Sequence, residues 1–554
     1  MHDRKDNDTA QRDEHRPKAG ESKEVSDSQD EMPSSVDLET FQGTGNLSGW
    51  KLALVIIGLC LAVFCMALDN TIIATAIPRI TDEFRALDDL GWYGSAYLLT
   101  TCSFQLLFGK LYSYYSVKWV FLAAIGFFEL GSLVCGTAPT STALIIGRAI
   151  AGIGSAGIFS GAILVIVLSV SMRQRPTYVG VLAGMYGISS VAGPLMGGAF
   201  TDKLSWRWCF YINLPLGAIT VLFVVLFFNP PQAGPDSSKN VVSWRQQLAH
   251  FDLEGTACFL PAIISLLLAL QWGGSRYAWS DGRIIGLFVV FGVLIILFVA
   301  VQFWKQDRAT VPPRILSDRT VWSCAAFAVC FGASFFLLIY YIPIWFQAVK
   351  DASAVRSGIM NLPMIVGLVV MSILAGVVVS ALGYYTPLIL TSSILMSIGA
   401  GLLTTFRLST KSPAWIGYQA LYGIGAGLGM QLPLVAVQTA LAEQDIPVGT
   451  ATLMFSQTLG GSIFVQVAQN VFTNKLATEL QGAGVDADMV LAVGATELRD
   501  NVPSEFLQQV LVAYNKALTD TWYVSVAMAV LSLIPAAFIP WKSVKAKKVE
   551  EPTA

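Results

Sequence analysis

Apolar residues run along this chain in blocks of about twenty, separated by polar or proline-containing breaks. A block of that length carries a helix across a hydrocarbon core about 30 Å thick at about 1.5 Å rise per residue. The pattern predicts spans at about 50–77, 90–109, 118–138, 141–165, 178–200 and 208–228. Two more follow at about 256–272 and 284–304, then six at about 321–347, 358–380, 385–406, 413–440, 447–470 and 522–540. That is about fourteen spans, grouped as six, two and six. The stretch from Asn229 to Glu254 opens with prolines that end a helix and continues with turn formers. Residues 229–255 therefore read as a cytoplasmic linker after a six-helix bundle at 50–228. Two additional spans at 256–304 and a cytoplasmic loop at 305–320 lead into a second six-helix bundle at 321–540. A second polar segment, roughly Asn474 to Asp520, predicts a short amphipathic helix over Ser504–Leu518. The predicted fold class is an all-α membrane protein: two six-helix bundles plus two extra linker spans.

Residues 1–49 are rich in charged and small polar side chains, which bury too little surface to offset ordering entropy, so a disordered tail is expected. A cleaved signal peptide is not, because no basic start leads into a short apolar stretch and a small-residue cleavage site. Lysine and arginine are nearly balanced between alternate loops. The basic tail at 541–554, with Lys542, Lys545, Lys547 and Lys548, together with Arg173 and Arg175, tips the assignment. An even number of spans then places both termini in the cytoplasm, where the sequons at Asn7 and Asn46 stay unglycosylated. A weak internal repeat relates Gly109-Lys-Leu-Tyr-Ser113 to the segment from Gly376 to Gly383, as expected of two related bundles around a central path.

Composition removes several classes. The 554 residues are 54% hydrophobic and 13% charged, which excludes a soluble globule. A formal charge of −2, with basic residues scattered at helix ends, gives no footprint for nucleic acid. The eight cysteines lie in or beside apolar runs without a CxxC pair and read as packed thiols. His2, His15 and His250 form no helix-face pair, so neither a metal nor another cofactor is expected. No G-x-x-x-x-G-K-[ST] sequence supplies an ATP site.

Charge is expensive at the bilayer centre, about 2.5–3.5 kcal/mol on the most forgiving scale, so three residues inside apolar blocks stand out: Asp69, Glu129 and Arg148. Each reads either as part of a structural ion pair or helix contact, or as a coupling group. Asp69, in Leu68-Asp-Asn-Thr-Ile-Ile-Ala-Thr-Ala-Ile-Pro78, is placed to hold a proton or meet a cationic substrate. Arg148 shares a helix face with Gly152, Ser155 and Phe159, and its small neighbours admit a close helix. In the fifth span Gly180, Gly184, Gly187, Pro194 and Gly198 fall within about 80° of one another, a close-packing face.

Here the sequence resembles a known family. The Leu68–Pro78 segment is similar to the first-span signature of the fourteen-span drug:proton antiporters of the major facilitator superfamily. Arg148-x-x-x-Gly152-x-Gly154 matches the fourth-span motif that the superfamily associates with proton coupling, and Gly193-Pro-x-x-Gly-Gly198 the fifth-span antiporter motif. In the second half, Tyr341–Gln347, Ser357-Gly358 with Leu362-Pro363, Gly423–Gln431 and Gln457–Ser462 resemble its fungal toxin and drug exporters. The loop motif after the second span departs from the pattern. Ser113 stands where the family's acid would be, with only Lys110 and Lys118 near the basic positions, so the acid of the usual charge latch is missing here.

The resemblance implies the major facilitator fold and a transporter, not an enzyme: proton-coupled antiport of amphipathic molecules such as toxins, secondary metabolites or antifungal drugs by a monomer in the plasma membrane or, alternatively, a vacuolar or vesicle membrane. Asp69, Arg148 and Glu129 are the expected proton-coupling residues. Gly109, Ser113, Lys118, Gly152, Gly154, Gly193, Pro194, Gly197 and Gly198 are the expected gating positions. Asn70, Trp92, Tyr97, Gln105, Tyr340, Tyr341 and Gln347 are candidates for the substrate path, each equally readable as a packing or interfacial residue. One proton crossing about 100 mV and about 2 pH units releases roughly 5 kcal/mol, enough for a gradient of a few thousandfold in a neutral substrate. Competing readings are a symporter importing a nutrient or siderophore, against which the fifth-span motif argues, and a non-transporting scaffold or receptor, which has no need of Asp69 and Arg148.

Overall fold

The structure, a computed structural model, describes residues 49–85, 89–229, 252–274, 276–482 and 502–545, with isolated positions at 485, 490 and 498. The expected tail at 1–49, all but the ends of the linker at 229–255 and most of the basic tail at 541–554 lie outside these residues.

The chain folds into α1 (Gly49–Phe84), α2 (Leu90–Tyr114), α3 (Val117–Thr137), α4 (Ser141–Ser169), α5 (Arg175–Lys203), α6 (Trp208–Tyr211) and α7 (Asn213–Phe227). A two-helix insert follows, α8 (Leu253–Trp272) and α9 (Gly282–Lys305), then α10 (Pro313–Ser317). The second half comprises α11 (Arg319–Lys350), α12 (Ala354–Met360), α13 (Leu362–Leu382), α14 (Thr386–Leu403), α15 (Ser412–Gly429) and α16 (Leu432–Ala440). It closes with α17 (Ile446–Gly482), α18 (Ser504–Leu531) and α19 (Leu533–Phe538). Among the described residues twelve segments are long and apolar enough to cross a membrane. The two other expected spans, at about 90–109 and 447–470, are the 25-residue α2 and the 37-residue α17. Their hydropathy is lowered by polar side chains such as Thr100, Thr101 and Gln105 on α2 and Gln457, Gln466 and Asn470 on α17.

Three boundaries differ from the hydropathy pattern for local reasons. The block at 413–440 breaks at Met430–Gln431, because Pro433 supplies no amide donor to the preceding turn. The amphipathic helix expected over Ser504–Leu518 does not end there but continues to Leu531 as one helix. The first helix runs on past its expected end at about residue 77 to Phe84, so that Asp69 lies near its middle.

The two halves repeat one packing pattern. In the first half α1 packs on α5, α3 on α4, α2 on α4 and α1 on α7; in the second, α11 packs on α17, α14 on α15, α13 on α15 and α11 on α18. Each half thus pairs its first helix with its fifth and sixth, and its fourth with its second and third. The halves meet along two equivalent crossings, α5 on α13 and α2 on α17. The weak sequence repeat falls at these crossings. A Cβ on Gly109 would come 2.5 Å from Ala451 Cβ on α17, and one on Gly376 would come 2.3 Å from Pro176 O on α5. Both glycines let a second helix cross the fifth helix of the other half at contact distance. We call the end of the bundle where α1 begins the near end.

The insert lies against the α2/α17 crossing. Cys102 and Leu106 of α2, Phe259, Ile263 and Leu267 of α8, and Phe298 of α9 share one apolar cluster, against which Phe455 and Leu459 of α17 pack. At its near end Asp252 accepts hydrogen bonds from Gln302 Nε2 at 2.7 Å, Thr310 N at 2.9 Å and Gly255 N at 2.8 Å. Burial alone would raise this carboxyl, but these bonds outweigh it and hold Asp252 below the usual range. Arg314 on α10 then grips Asp445 at 2.6 and 2.7 Å in a two-pronged pair, tying the insert's base to the start of α17.

The near-end crossing is tight enough to trap chemically. Thr177 Oγ1 and Ser380 Oγ lie 3.1 Å apart across it, so cysteines at these two positions are expected to cross-link in membranes. Adding Gly376→Val is expected to abolish the cross-link at unchanged expression. Equal cross-linking in the valine variant would contradict the account of this crossing.

Candidate functional site at the crossing of α1, α2, α4 and α7

Asp69 and Arg148 are both fully buried. Arg148 Nη1 donates to Asp69 Oδ2 in a salt bridge and also approaches the Asp69 carbonyl at 3.4 Å. Its Nε donates to Tyr93 O at 2.8 Å, and the guanidinium lies 4.5 Å from the Tyr97 ring centroid. Removing one partner of such a pair costs about 3–5 kcal/mol, because the remaining charge is stranded. Nη2 has no partner.

The other carboxylate oxygen, Oδ1, accepts from Asn213 Nδ2 at 3.3 Å, and the same amide group lies 3.1 Å from Ser132 Oγ. Asn213 opens α7, and its own Oδ1 is buried without a hydrogen-bond partner among the described residues. Asn213 was not singled out in the sequence. Its signal there is a lone amide in Tyr211-Ile-Asn-Leu-Pro215, entering an otherwise apolar block. Glu129 stands three residues before Ser132 on α3, half-buried and packed on Gly217 of α7, its Oε2 without a hydrogen-bond partner among the described residues. Ser132 and Asn213 thus join α3 to Asp69, and Glu129 stands one turn from Ser132 with no hydrogen bond to Asp69 among the described residues.

Glycines set how closely these helices approach. A Cβ at Gly152 would strike Thr100 Oγ1 at 2.1 Å and Tyr97 O at 2.4 Å on α2, and one at Gly154 would strike Phe128 N at 2.3 Å on α3. On α5, Gly193 and Gly197 face Thr71 and Thr75 of α1 at 2.2 Å, whereas Gly180, Gly187 and Gly198 face α13 and α12 of the other half. Pro194 lies inside this helix and touches Gly358 of α12. Ser189 keeps the close approach to α1, donating to Phe64 O at 3.1 Å while its own carbonyl accepts from Thr71.

Of the loop-motif positions, Gly109 reaches the other half. Ser113 bonds to Gly109 O one turn back at 3.1 Å, and Lys118 caps the end of α7 through Val225 O at 2.9 Å. The candidate path residues separate. Tyr97 belongs to the ion-pair cage, and Gln105 ties α2 to Ala156 O on α4 at 2.9 Å. Tyr341 turns into its own half, bonding Gln469 at 2.9 Å, and Gln347 bonds Ser357 at 3.0 Å. Asn70 is half-buried beside Asp69, and Trp92 packs edge-on against Trp272 of the insert. Tyr340 lines a cavity of about 60 Å³ between α2, α8, α11 and α17.

A membrane-embedded pair of repeated bundles, meeting at two glycine-lined crossings and enclosing a buried ion pair, defines a transporter and not an enzyme. The chain belongs to the Major Facilitator Superfamily, whose family model matches residues 59–465. It is 57% identical over 518 residues to the MFS-type efflux pump MFS1 of Arthroderma benhamiae, covering 93% of this chain and 96% of that one. It is 50% identical over 510 residues to the efflux pump aflT of Aspergillus parasiticus, covering 92% and 99%. The human organic anion transporter MFSD10 has the same fold, with a TM-score of 0.57 at 15% identity over 88% of this chain and 99% of that one.

A charge stranded without its partner sets the order of stability among variants. Asp69→Leu alone is expected to lower the thermal unfolding temperature of the purified protein more than Asp69→Leu combined with Arg148→Leu, which removes both charges. A double variant less stable than the single one would overturn it.

Proposed function

We propose that the chain exports amphipathic small molecules, of the kind produced as toxins or secondary metabolites or met as antifungal drugs, in exchange for protons. The observation that carries this reading is the Asp69–Arg148 pair, fully buried at the junction of four helices. A net-neutral pair can sit in a dry interior, and adding one proton to Asp69 leaves an uncompensated cation there. Protonation therefore changes which packing of α1, α2, α4 and α7 is favoured, which is what a coupling site must do. Asn213 holds the second oxygen of Asp69 and orients it toward the arginine, Ser132 on α3 meets the same amide, and Glu129 stands one turn from Ser132. The family membership and the efflux-pump relatives support the direction of transport.

In this reading α2 and α17 also cross the membrane, which makes fourteen spans, and the near end faces the cytoplasm together with both termini. The glycine contacts at Gly109, Gly180 and Gly376 then seal the cytoplasmic side, and proton-driven separation of these crossings opens it. The two halves rock about α5, whose faces touch α1 and α13. The protein acts as a monomer in the plasma membrane.

Cells expressing the wild type at a known surface level are expected to expel a fluorescent amphipathic dye, and a protonophore is expected to abolish the net outward gradient. Asp69→Asn and Arg148→Ala, at matched surface levels, are expected to lose at least about tenfold in initial export rate, equivalent to about 1.4 kcal/mol. Normal export by both variants, insensitive to the protonophore, would refute proton coupling.

A further inference from the structure

The cavity beside the α2/α17 crossing has a wall that comes from the insert, and its chemistry is specific. Each of four helices presents residues three or four positions apart: Ser95 and Leu98 on α2, Leu267 and Gln271 on α8, Phe336 and Tyr340 on α11, and Ser462 and Gln466 on α17. That spacing puts each set on one helical face. On α17 the stripe extends to Thr458, and the side chains of Thr458, Ser462 and Gln466 have no hydrogen-bond partner among the described residues. A row of three unsatisfied polar groups inside a membrane helix is costly unless something else satisfies it. The same residues contribute to the low hydropathy of α17.

The insert is anchored on both halves here. Gln271 Nε2 donates to Ser95 Oγ of α2 at 2.7 Å. At the end of α8, Gly274 takes a positive φ of 74°, and a Cβ there would come 2.2 Å from Asn470 Oδ1 of α17. The insert thereby spans the groove between α2 and α17, in contact with both helices. The wall is otherwise apolar, and no charged side chain is among the lining residues.

We propose that this chamber is the substrate site, that the two-helix insert forms part of it, and that it takes neutral molecules with a largely apolar body and a few hydroxyl or carbonyl groups. The apolar body lies on Leu98, Leu267 and Phe336, and its polar groups bond to Thr458, Ser462 and Gln466. The assignment of a substrate rests on the exporter reading above. At about 60 Å³ the cavity is far below the roughly 300–1,000 Å³ of a drug-sized pocket, so the structure holds it contracted, and loading requires α2 and α17 to part. Helix α2 couples the chamber to the ion pair, because Leu98 adjoins Tyr97, whose ring lies against Arg148.

The test is equilibrium binding of Nile red, a neutral amphipathic dye, to the full chain in lipid nanodiscs, with empty discs subtracted. Wild type is expected to bind it saturably, and at least about tenfold more tightly than rhodamine 6G, a permanent cation. Leu267→Trp on the insert and Ser462→Trp are expected to weaken Nile red binding by at least about tenfold, and the milder Gln466→Leu by about threefold or more. Val289→Trp, on the exposed face of α9, is expected to bind as wild type does. Asp69→Asn is expected to keep binding while losing export, so a failure of coupling and a failure of this site give different results. Binding by all three chamber variants within twofold of wild type, equal affinity for the cation, or a phospholipid co-purifying with wild type and lost from Ser462→Trp would overturn the proposal.

Discussion

A carboxylate and a guanidinium, both wholly removed from water, must find their hydration in the protein itself, and much of the first half of this chain is arranged to supply it. Arg148 is held by a carbonyl, a carboxylate and an aromatic face, and Asp69 by the arginine and an asparagine amide. Those partners come from α1, α2, α4 and α7, so the pair also fixes the mutual positions of four helices. The close approach that lets a guanidinium on α4 touch both α1 and α2 depends on Gly152 and Gly154, where any side chain would collide with the backbone of α2 or α3. Ionic chemistry and small-residue packing are therefore one design. Substituting either member weakens both.

The same economy of contact governs the interface between the halves. In lipid there is little hydrophobic drive for one helix bundle to join another, and association rests on shape and on polar contacts. The α5/α13 and α2/α17 crossings are built from glycines meeting backbone, with Thr177 and Ser380 adding a hydroxyl pair. Such contacts are good when formed and cheap to break, which suits an interface that must open. Helix α10, just after the insert, adds the Arg314–Asp445 pair at the near end, so carboxylate contacts exist near this interface although Ser113 brings none.

Spans of twenty apolar residues were legible because the bilayer sets their length, and the repeat of Gly109 and Gly376 was legible because both crossings need the same small residue. Asp69 and Arg148 stood out as charges in apolar blocks. Their partnership did not, since residues 79 apart are joined only by folding. Asn213 escaped notice because a single amide at the start of a block looks like a cap. Of the path candidates, aromatic identity alone did not separate Tyr340, which faces the cavity, from its neighbour Tyr341, which turns inward to Gln469; a one-residue step on a helix is a 100° turn. The role of α8 was hidden for the same kind of reason, since a span counted as a spacer shows its contacts only when packed against α2 and α17.

If Asp69 exchanges its proton as substrate binds, the purified protein must release protons when substrate is added. In detergent with little buffer and a pH-sensitive dye, saturating Nile red is expected to release about one proton per wild-type chain and none from Asp69→Asn that still binds the dye. Equal proton release from both proteins would contradict the assignment of Asp69 as the coupling group.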